Sequence, residues 1–259
     1  MECVAKLENL FKDFRKHSPL KETRFIIGVG SGKGGVGKTT LSVLLALALK
    51  EEGFSVGLFD LDFYGPNTLL LLDASVKTPF ISPEGYQPVN IQGIKAMSLS
   101  ILVSEKEPIF MRGLMAGKLL QELTKRVLWG PLDFLILDLP PGTGDIFLNT
   151  LDLFEPDGFL LVSTAHKLSL ADTLRTISIL KEKKVPLLGI VKNMSGLFKS
   201  EDSFQNFLDE VKVPLIFEMP FLEELSEKES LTEIMKSEKY KELLSTLGKR
   251  VLKKVFRFY

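Results

Sequence analysis

The sequence predicts an α/β fold in which a mostly parallel central sheet carries helices on both faces. Six short apolar runs have the composition of strands that are buried on both sides. These runs occupy residues 25–29, 55–59, 134–137, 159–162, 187–191 and 213–217. Helical segments separate several of them, and this alternation favours parallel pairing. A glycine-rich loop joins the first run to a helix, which is the third feature typical of this class.

The remaining elements complete one domain. The sequence predicts helices over 39–50, 114–128, 168–184 and from 223 onward, and a hairpin over 86–98. Neither an internal repeat nor a low-complexity linker interrupts the 259 residues, so we expect a single domain over 1–259. An N-terminal helical extension, 1–22, and a C-terminal basic amphipathic helix, 236–259, flank its centre.

Composition excludes several classes of function. Lys and Arg together number 33, as do Asp and Glu, so no net charge points to a nucleic-acid partner. The single cysteine, Cys3, excludes a disulfide framework or a site of several thiolates within one chain. We expect a cytoplasmic protein, because the sequence shows neither a secretory signal nor a membrane-spanning run. His17 and His166 are isolated in sequence, and we expect structural or solvated roles for them.

The glycine-rich loop matches the phosphate-binding pattern G-x-x-x-x-G-K-[ST] from Gly32 to Thr39. Glycine permits the dihedral angles that turn backbone N–H groups toward a phosphate, and the following helix adds its dipole. We expect Lys38 to neutralise the β- and γ-phosphates, Thr39 to bind Mg²⁺, and Thr40 to donate to the α-phosphate. The sequence thus predicts a P-loop NTPase that binds ATP or ADP with Mg²⁺. The backbone cradle comprises Gly32, Gly34, Gly35, Val36 and Gly37.

Carboxylates follow two of the predicted strands. Asp138 ends an apolar run as a Walker B acid does, although a helix cap would also explain it. Asp60 and Asp62 follow another run, and the carboxyl ends of parallel strands meet at one edge of a sheet. The predicted metal site therefore comprises Thr39, Asp60, Asp62 and Asp138.

Further motifs resemble a known family. Lys33, an extra lysine inside the loop, is similar to the deviant Walker A of the MinD/ParA class. The segments 60–66 (DLDFYGP) and 129–145 (WGPLDFLILDLPPGTGD) resemble the Mrp/ApbC branch, which includes the Nbp-type iron–sulfur assembly ATPases. Residues 111–113 and 192–195 match as well, and the resemblance extends over about residues 24–221.

The resemblance implies a role for each matching residue. Lys33 would reach the ATP of a partner subunit, although a solvated loop lysine is the alternative. Asp62 would position the attacking water, and Asp138 would be linked to Mg²⁺. The implied reaction is slow ATP hydrolysis coupled to the closing and opening of a dimer, with Lys33, Lys38, Asp62 and Asp138 as catalytic residues. The adenine site would comprise Asn193, Met219, Pro220 and Phe221.

One departure from the family concerns its cargo. Members that hold an iron–sulfur cluster carry Cys-Pro-x-Cys shortly after Asn-Met-Ser, but residues 195–204 contain no cysteine. Thiolates are the usual ligands of such clusters, so we expect no bound iron–sulfur cluster on this sequence. We expect a role in iron–sulfur protein maturation beside a client or carrier protein. The dimer would be a homodimer, or a heterodimer with a cysteine-bearing paralogue.

The segment 236–259 admits two interpretations. Its apolar residues recur at helical spacing and Lys and Arg fill the other side. This helix would either pack its apolar face on the sheet as the last helix of the fold, or lie on an anionic membrane. Membrane binding would fit an alternative function, a MinD/ParA-like nucleotide switch that positions or regulates a partner.

Overall fold

A computed structural model describes residues 20–63, 65–73, 80–98, 113–198, 201–221, 223, 231 and 237–258. Most of the predicted extension, 1–22, lies outside these residues, as do Cys3 and His17. Its last three residues form a turn that leads into the first strand, and the Thr23 N–H donates to the Leu20 carbonyl oxygen at 2.8 Å within this turn.

The strands form a central sheet and one separate hairpin. The strands are β1 (Thr23–Gly30), β2 (Val56–Asp60), β3 (Phe80–Ser82), β4 (Gly85–Gln87), β5 (Val89–Ile91), β6 (Ile94–Ser98), β7 (Leu132–Asp138), β8 (Gly158–Ser163), β9 (Leu187–Ser195) and β10 (Leu215–Pro220). In the described part of the chain the sheet order is β10-β9-β8-β1-β7-β2-β6-β5. All neighbours pair in parallel except β5, which closes one edge against β6 in the antiparallel direction. The short hairpin β3–β4 stands apart.

Helices cover both faces of this sheet, as predicted. They are α1 (Lys38–Glu51), α2 (Thr68–Leu71), α3 (Gly113–Arg126), α4 (Asp145–Phe154), α5 (Lys167–Glu182), α6 (Glu201–Val211) and α7 (Glu238–Phe258). Alternate residues of β1 enter two separate cores: Ile27 lies in the first and Ile26 in the second. The first core contains α1 and α7, and the second contains α3, α4, α5 and α6.

The structure confirms the predicted parallel sheet, and each of the six apolar runs contributes a strand. The last strand begins at Leu215 rather than at 213, because Pro214 has no N–H and gives only its carbonyl oxygen, which accepts from the Ile190 N–H. The hairpin predicted over 86–98 is β5–β6. Helices α4 and α6 and the hairpin β3–β4 were not predicted, although Phe204, Phe207 and Val211 of α6 do recur at helical spacing.

The C-terminal helix α7 packs its apolar face on the protein, as the first of its two interpretations predicted. Leu244, Leu247 and Val251 are buried between α1 and the sheet, and Gly248 packs against Ala48 of α1. Arg250 Nη1 donates to the carbonyl oxygen of Ile216 at 3.1 Å. Among the residues that the structure describes, no helix has the length and apolarity needed to cross a bilayer.

Asp133 ties together three segments at the amino-terminal edge of the sheet. Its carboxylate accepts from Arg24 Nη1 at 3.0 Å, and from the N–H and hydroxyl of Ser55 at 2.9 and 2.7 Å. Burial alone would raise the pKa of Asp133, but the hydrogen bonds from Ser55 and Arg24 outweigh it and hold the pKa below its ordinary value. A carboxyl with a lowered pKa stabilises the fold above its unfolded pKa, and this contribution disappears as the pH falls through the folded pKa.

We therefore expect Asp133→Ala to lower the free energy of unfolding by about 0.5–1.5 kcal/mol at neutral pH, because the partly exposed donors of Arg24 and Ser55 lose their acceptor. Urea denaturation measures this loss, and its difference from wild type should shrink on acidification. Asp209→Ala, at an exposed carboxylate that accepts from Gln205, is the matched control and should change stability little. An Asp133→Ala variant as stable as this control would contradict the prediction.

Candidate nucleotide site

The glycine-rich loop lies between β1 and α1, at the carboxyl edge of the sheet. Gly35 and Gly37 have φ angles of 77° and 82°, in the left-handed region that glycine tolerates best. A Cβ placed on Gly34 or Gly35 would meet nothing within 4 Å, so this side of the loop has room for a ligand. The Ser31 hydroxyl donates to the Lys33 carbonyl oxygen at 2.9 Å and braces the turn from within. The loop therefore has the geometry of a phosphate cradle.

Lys38 stands at the centre of the site, with 6% of its surface exposed. Its Nζ lies 2.8 Å from Asp138 Oδ1, 3.1 Å from Thr39 Oγ1 and 3.9 Å from Asp62 Oδ2. The structure thus brings together four residues that the sequence predicted: two from α1, one from β7 and one from the loop after β2. In this structure the charge of the buried ammonium group is thus balanced by carboxylates.

Asp138 ends β7, and neighbouring strands enclose it. It is paired in register with Val29 of β1 and Asp60 of β2, and it is fully buried. Burial raises the pKa of Asp138, against the opposing effects of Lys38 and of hydrogen bonds from Ser42 and Thr39. Ser42 Oγ lies 2.7 Å from Asp138 Oδ1. Sequence reasoning missed Ser42, although it follows Lys38 by four residues and so shares its face of α1.

The second carboxylate oxygen of Asp138, Oδ2, is placed to accept from a metal-bound water. Oδ2 is buried and has no hydrogen-bond partner among the residues that the structure describes. Native proteins rarely leave such an acceptor unpaired, so Oδ2 suits a water in the shell of a divalent cation. Within the described ranges, no group of three or more His, Cys, Asp or Glu side chains could hold a metal ion by itself. Mg²⁺ commonly binds through one or two protein ligands, waters and the phosphates of its nucleotide, so these residues fit it.

Asp60 and Asp62 have different surroundings. Asp60 Oδ1 accepts from the Asp62 N–H at 3.1 Å, and Oδ2 accepts from the N–H and hydroxyl of Thr68 at 3.1 and 3.0 Å. Burial, followed by the charge of Asp138, raises the pKa of Asp60 to about 7. Asp60 thus holds the chain at Asp62 and at Thr68 through hydrogen bonds, while the Asp62 side chain approaches Lys38.

Asn193 contacts the phosphate loop directly. Its Nδ2 donates to the Val36 carbonyl oxygen at 2.8 Å, and a Cβ on Gly37 would lie 2.1 Å from the same Nδ2. The buried side chain of Val36 anchors the loop in the first core. Thr40, also predicted to bind nucleotide, is half-buried on α1. The side-chain amide of Asn193 therefore holds the phosphate loop by a hydrogen bond to the loop backbone.

The three residues predicted to line an adenine pocket are not equivalent. Met219 is 2% exposed and its side chain lies in the first core, whereas Pro220 and Phe221 are exposed. The Phe221 N–H donates to the Ser195 carbonyl oxygen at 2.9 Å, which holds this segment beside the end of β9. Strand alternation explains why Met219 and Pro220 differ, since successive residues of β10 point to opposite faces, and Phe221 follows the end of this strand.

Lys33 and His166, for which the sequence allowed a solvated role, are both exposed. Lys33 is exposed, beside the open side of the loop. His166 caps α5, and its Nδ1 accepts from the Leu168 N–H at 3.3 Å. The His166 ring lies against Phe198, with ring centroids 5.7 Å apart. The structural role expected for His166 is confirmed.

Comparison with known proteins identifies the family of this chain. A family model described as ParA, NUBPL iron-transfer P-loop NTPase, matches residues 22–256. An iron–sulfur cluster carrier protein of Rickettsia felis is 36% identical over 208 residues, which are 80% of this chain and 65% of that protein. The iron–sulfur cluster transfer protein NUBPL of Dictyostelium discoideum is 44% identical over 172 residues, 66% of this chain and 53% of that protein. The chain spans about half to two thirds of the length of these curated relatives.

Solved structures agree on the fold. A nucleotide-binding protein from Archaeoglobus fulgidus in complex with ADP has a TM-score of 0.69 and 32% identity, with coverage of 93% of this chain and 92% of that chain. The septum site-determining protein MinD of Pyrococcus horikoshii, with Mg-ADP, has a TM-score of 0.68 at 21% identity and covers 88% and 96% of the two chains, a likeness of fold alone. The resemblance to the Mrp/ApbC branch is confirmed. With its phosphate loop, its buried Lys38–Asp138 pair and a family match over nearly its whole length, the chain belongs to the ParA/NUBPL family of iron-transfer P-loop NTPases.

Proposed function

We propose that this chain is a Mg²⁺-dependent ATPase that acts as a dimer in iron–sulfur protein maturation without holding a bridging cluster of its own. One observation carries the proposal. The Lys38, Asp62 and Asp138 network is complete, whereas residues 195–204, where cluster-holding members have two cysteines, contain none. The nucleotide site of the family is thus present, but the thiolates that would bind an iron–sulfur cluster are absent from this segment.

The nucleotide would lie along the loop, with its phosphates over Gly34 and Gly35, where side chains leave space. Lys38 Nζ would exchange part of its contact with Asp138 for the β- and γ-phosphates. Thr39 Oγ1 and, through water, Asp138 would hold Mg²⁺, which neutralises negative charge on the phosphate oxygens. Asn193 would keep the loop in shape through Val36. Pro220 and Phe221, exposed beside the end of β9, would contact the base, with Met219 supporting them from the core.

Hydrolysis would depend on groups on both sides of the γ-phosphate. Asp62 is mostly buried and close to Lys38, so it is placed to orient the attacking water. Asp60 would position Asp62 through its backbone N–H rather than bind the metal directly, because both Asp60 oxygens already accept hydrogen bonds. The exposed Lys33 would contribute from a second subunit, as an arginine finger does in other P-loop enzymes.

The proposal that this chain holds no bridging cluster is supported by the residues that follow the end of β9. In the relatives named as cluster carrier or transfer proteins, the names themselves describe an iron–sulfur role. In this chain Leu197 is 47% exposed there, and Phe198 packs against the second core. Neither side chain is a ligand for iron. We propose that a client or carrier protein, or a cysteine-bearing paralogue in a heterodimer, supplies the thiolates.

Anaerobic reconstitution with iron and sulfide tests this proposal. The chain alone should gain no stable stoichiometric cluster in absorption spectra, while the same preparation hydrolyses ATP with Mg²⁺. The Cys3→Ser variant is the matched control, because a dimer holds two copies of Cys3. Stoichiometric uptake by the wild-type chain would overturn the non-carrier proposal, and loss of that uptake in Cys3→Ser would assign the ligand.

The alternative, a nucleotide switch that binds membrane through 236–259, has less support. Leu244, Leu247 and Val251 of α7 are buried in the first core. Their release would expose apolar side chains at a cost of about 1.5–3 kcal/mol each. While the helix stays packed, its polar side and the partly exposed Phe256 remain available to a membrane surface.

A further inference from the structure

A cluster of buried hydroxyl groups joins the end of β8 to the first turns of α5. Thr173 Oγ1 lies 2.9 Å from Ser163 Oγ and 2.7 Å from the carbonyl oxygen of Ser169. The Ser163 and Ser169 hydroxyl oxygens are 3.0 Å apart, and the Thr164 N–H donates to Ser169 Oγ at 3.2 Å. All four residues are buried. Each of these polar groups has at least one partner, which offsets the cost of its burial.

The same stretch of α5 supports the phosphate loop. A Cβ placed on Gly32 would lie 2.3 Å from the carbonyl carbon of Asp172 and 2.6 Å from the backbone nitrogen of Thr173. Only glycine therefore lets the loop rest directly on the peptide between these two residues. Because backbone meets backbone without an intervening side chain, a displacement of α5 must displace the loop.

The next residue of the loop is Lys33. The Ser31 hydroxyl holds the Lys33 carbonyl oxygen from one side, and Gly32 rests on α5 on the other. The direction in which the exposed Lys33 side chain leaves the surface thus depends on where α5 lies. Catalytic groups lose about 100-fold in rate when misplaced by about 1 Å, so this support matters for a residue that must reach a second subunit.

Hydrogen bonds can fix α5 in a way that apolar packing cannot. Elsewhere along α5, Leu170, Ile177 and Leu180 pack into the second core. Apolar contacts are non-directional, whereas the hydroxyl cluster defines both the rotation of the helix and its depth against β8. The cluster lies in the turns that carry the Gly32 contact, since Thr173 belongs to both.

We propose that Thr173 is a positioning residue for ATP hydrolysis: through Ser163 and Ser169 it sets the place of α5, and through Gly32 it sets the place of Lys33. This inference rests on the proposed ATPase function and on the role of Lys33 in it. Thr173 itself contacts neither phosphate nor water in the reaction. Its effect should be larger on turnover than on the affinity for ATP, because Asn193 and the buried Val36 hold the later part of the loop independently of α5.

The Thr173→Val variant removes the hydroxyl and keeps a similar shape. We expect kcat to fall by about 10- to 100-fold, with KM for ATP changed little. Thr173→Ser, which keeps the hydroxyl, should recover most of the rate. Thr150→Val is the matched control, because Thr150 is equally buried on α4 and its hydroxyl donates only to the Ile146 carbonyl oxygen of its own helix. If Thr173→Val does not fold, Ser163→Ala removes the partner oxygen and should give the same pattern.

A double-mutant cycle separates positioning from a general loss of stability. If Thr173 acts through Lys33, Thr173→Val should slow single-turnover hydrolysis no further in a Lys33→Ala background. Additive losses in the double variant would overturn the inference, as would a Thr173→Val rate equal to that of Thr150→Val. In either case ATP turnover by the wild-type chain would still support the proposed function. Absence of turnover in the wild-type chain would instead overturn the proposed function and this inference with it.

Discussion

The Lys38→Met variant should lose ATP binding and fold stability together. Its ATP affinity should fall by about 10- to 100-fold or more, because a charged group that contacts phosphate contributes about 1.5–3 kcal/mol. Its free energy of unfolding should fall by about 3–5 kcal/mol, because the fully buried Asp138 loses the cation 2.8 Å away. Titration with a fluorescent ATP analogue and urea denaturation measure the two losses separately.

A second substitution separates these two effects. In the Lys38→Met/Asp138→Asn variant the carboxylate nearest to the missing cation is neutral as well, so part of the lost stability should return. ATP binding should not return, since the ammonium group is still missing. If Lys38→Met binds ATP as tightly as wild type, Lys38 does not contact the phosphates. If the double variant is no more stable than Lys38→Met, the buried pair is not the source of the stability loss.

The Lys33→Ala variant should show the opposite pattern. Lys33 is exposed and lies outside the Lys38 network, so the fold and the affinity for ATP should change little. Hydrolysis should fall by about 10³-fold or more, which is the usual contribution of a charge supplied by a second subunit. Steady-state ATP turnover and nucleotide titration on one preparation give both values. Unchanged turnover would mean that Lys33 is a solvated loop lysine without a role in hydrolysis.

Mixing two inactive variants tests whether Lys33 acts between subunits. In a mixed dimer of Lys33→Ala and Asp62→Ala chains, one site would keep its own Asp62 and receive Lys33 from the partner. The mixture should therefore regain part of the turnover that each variant lacks alone. Lack of recovery, with mixed dimers demonstrated by a size or affinity tag, would contradict a contribution from the partner subunit.

Much of this site could be predicted because its signals are local. The loop pattern stands between an apolar strand and a helix, and this context identifies Lys38 and Thr39 without knowledge of the fold. The end of an apolar run likewise identified Asp138. The central strands were predictable for the same reason, because a strand buried on both faces consists almost entirely of apolar residues.

Other features depend on long-range contacts. Asp60 and Asp62 are two acidic residues in one short segment, and only the position of Thr68 shows that Asp60 holds the chain while Asp62 approaches Lys38. Ser42 acquires its role from a carboxylate 96 residues away. The alternation of buried and exposed residues along a strand could have predicted that Met219 is buried. The family resemblance instead assigned the same role, contact with adenine, to Met219, Pro220 and Phe221.

The packing of α7 on α1 has a consequence for synthesis on the ribosome. The surface that supports the phosphate-loop helix comes from the far end of the chain: Ser245 Oγ donates to the carboxylate of Glu52 across 193 residues. Helix α1 contains the continuous apolar run 43–49, and it is synthesised well before α7, which covers it. Contacts so distant in sequence form late. The nascent chain therefore exposes the apolar face of α1, behind its own nucleotide site, until α7 has been synthesised.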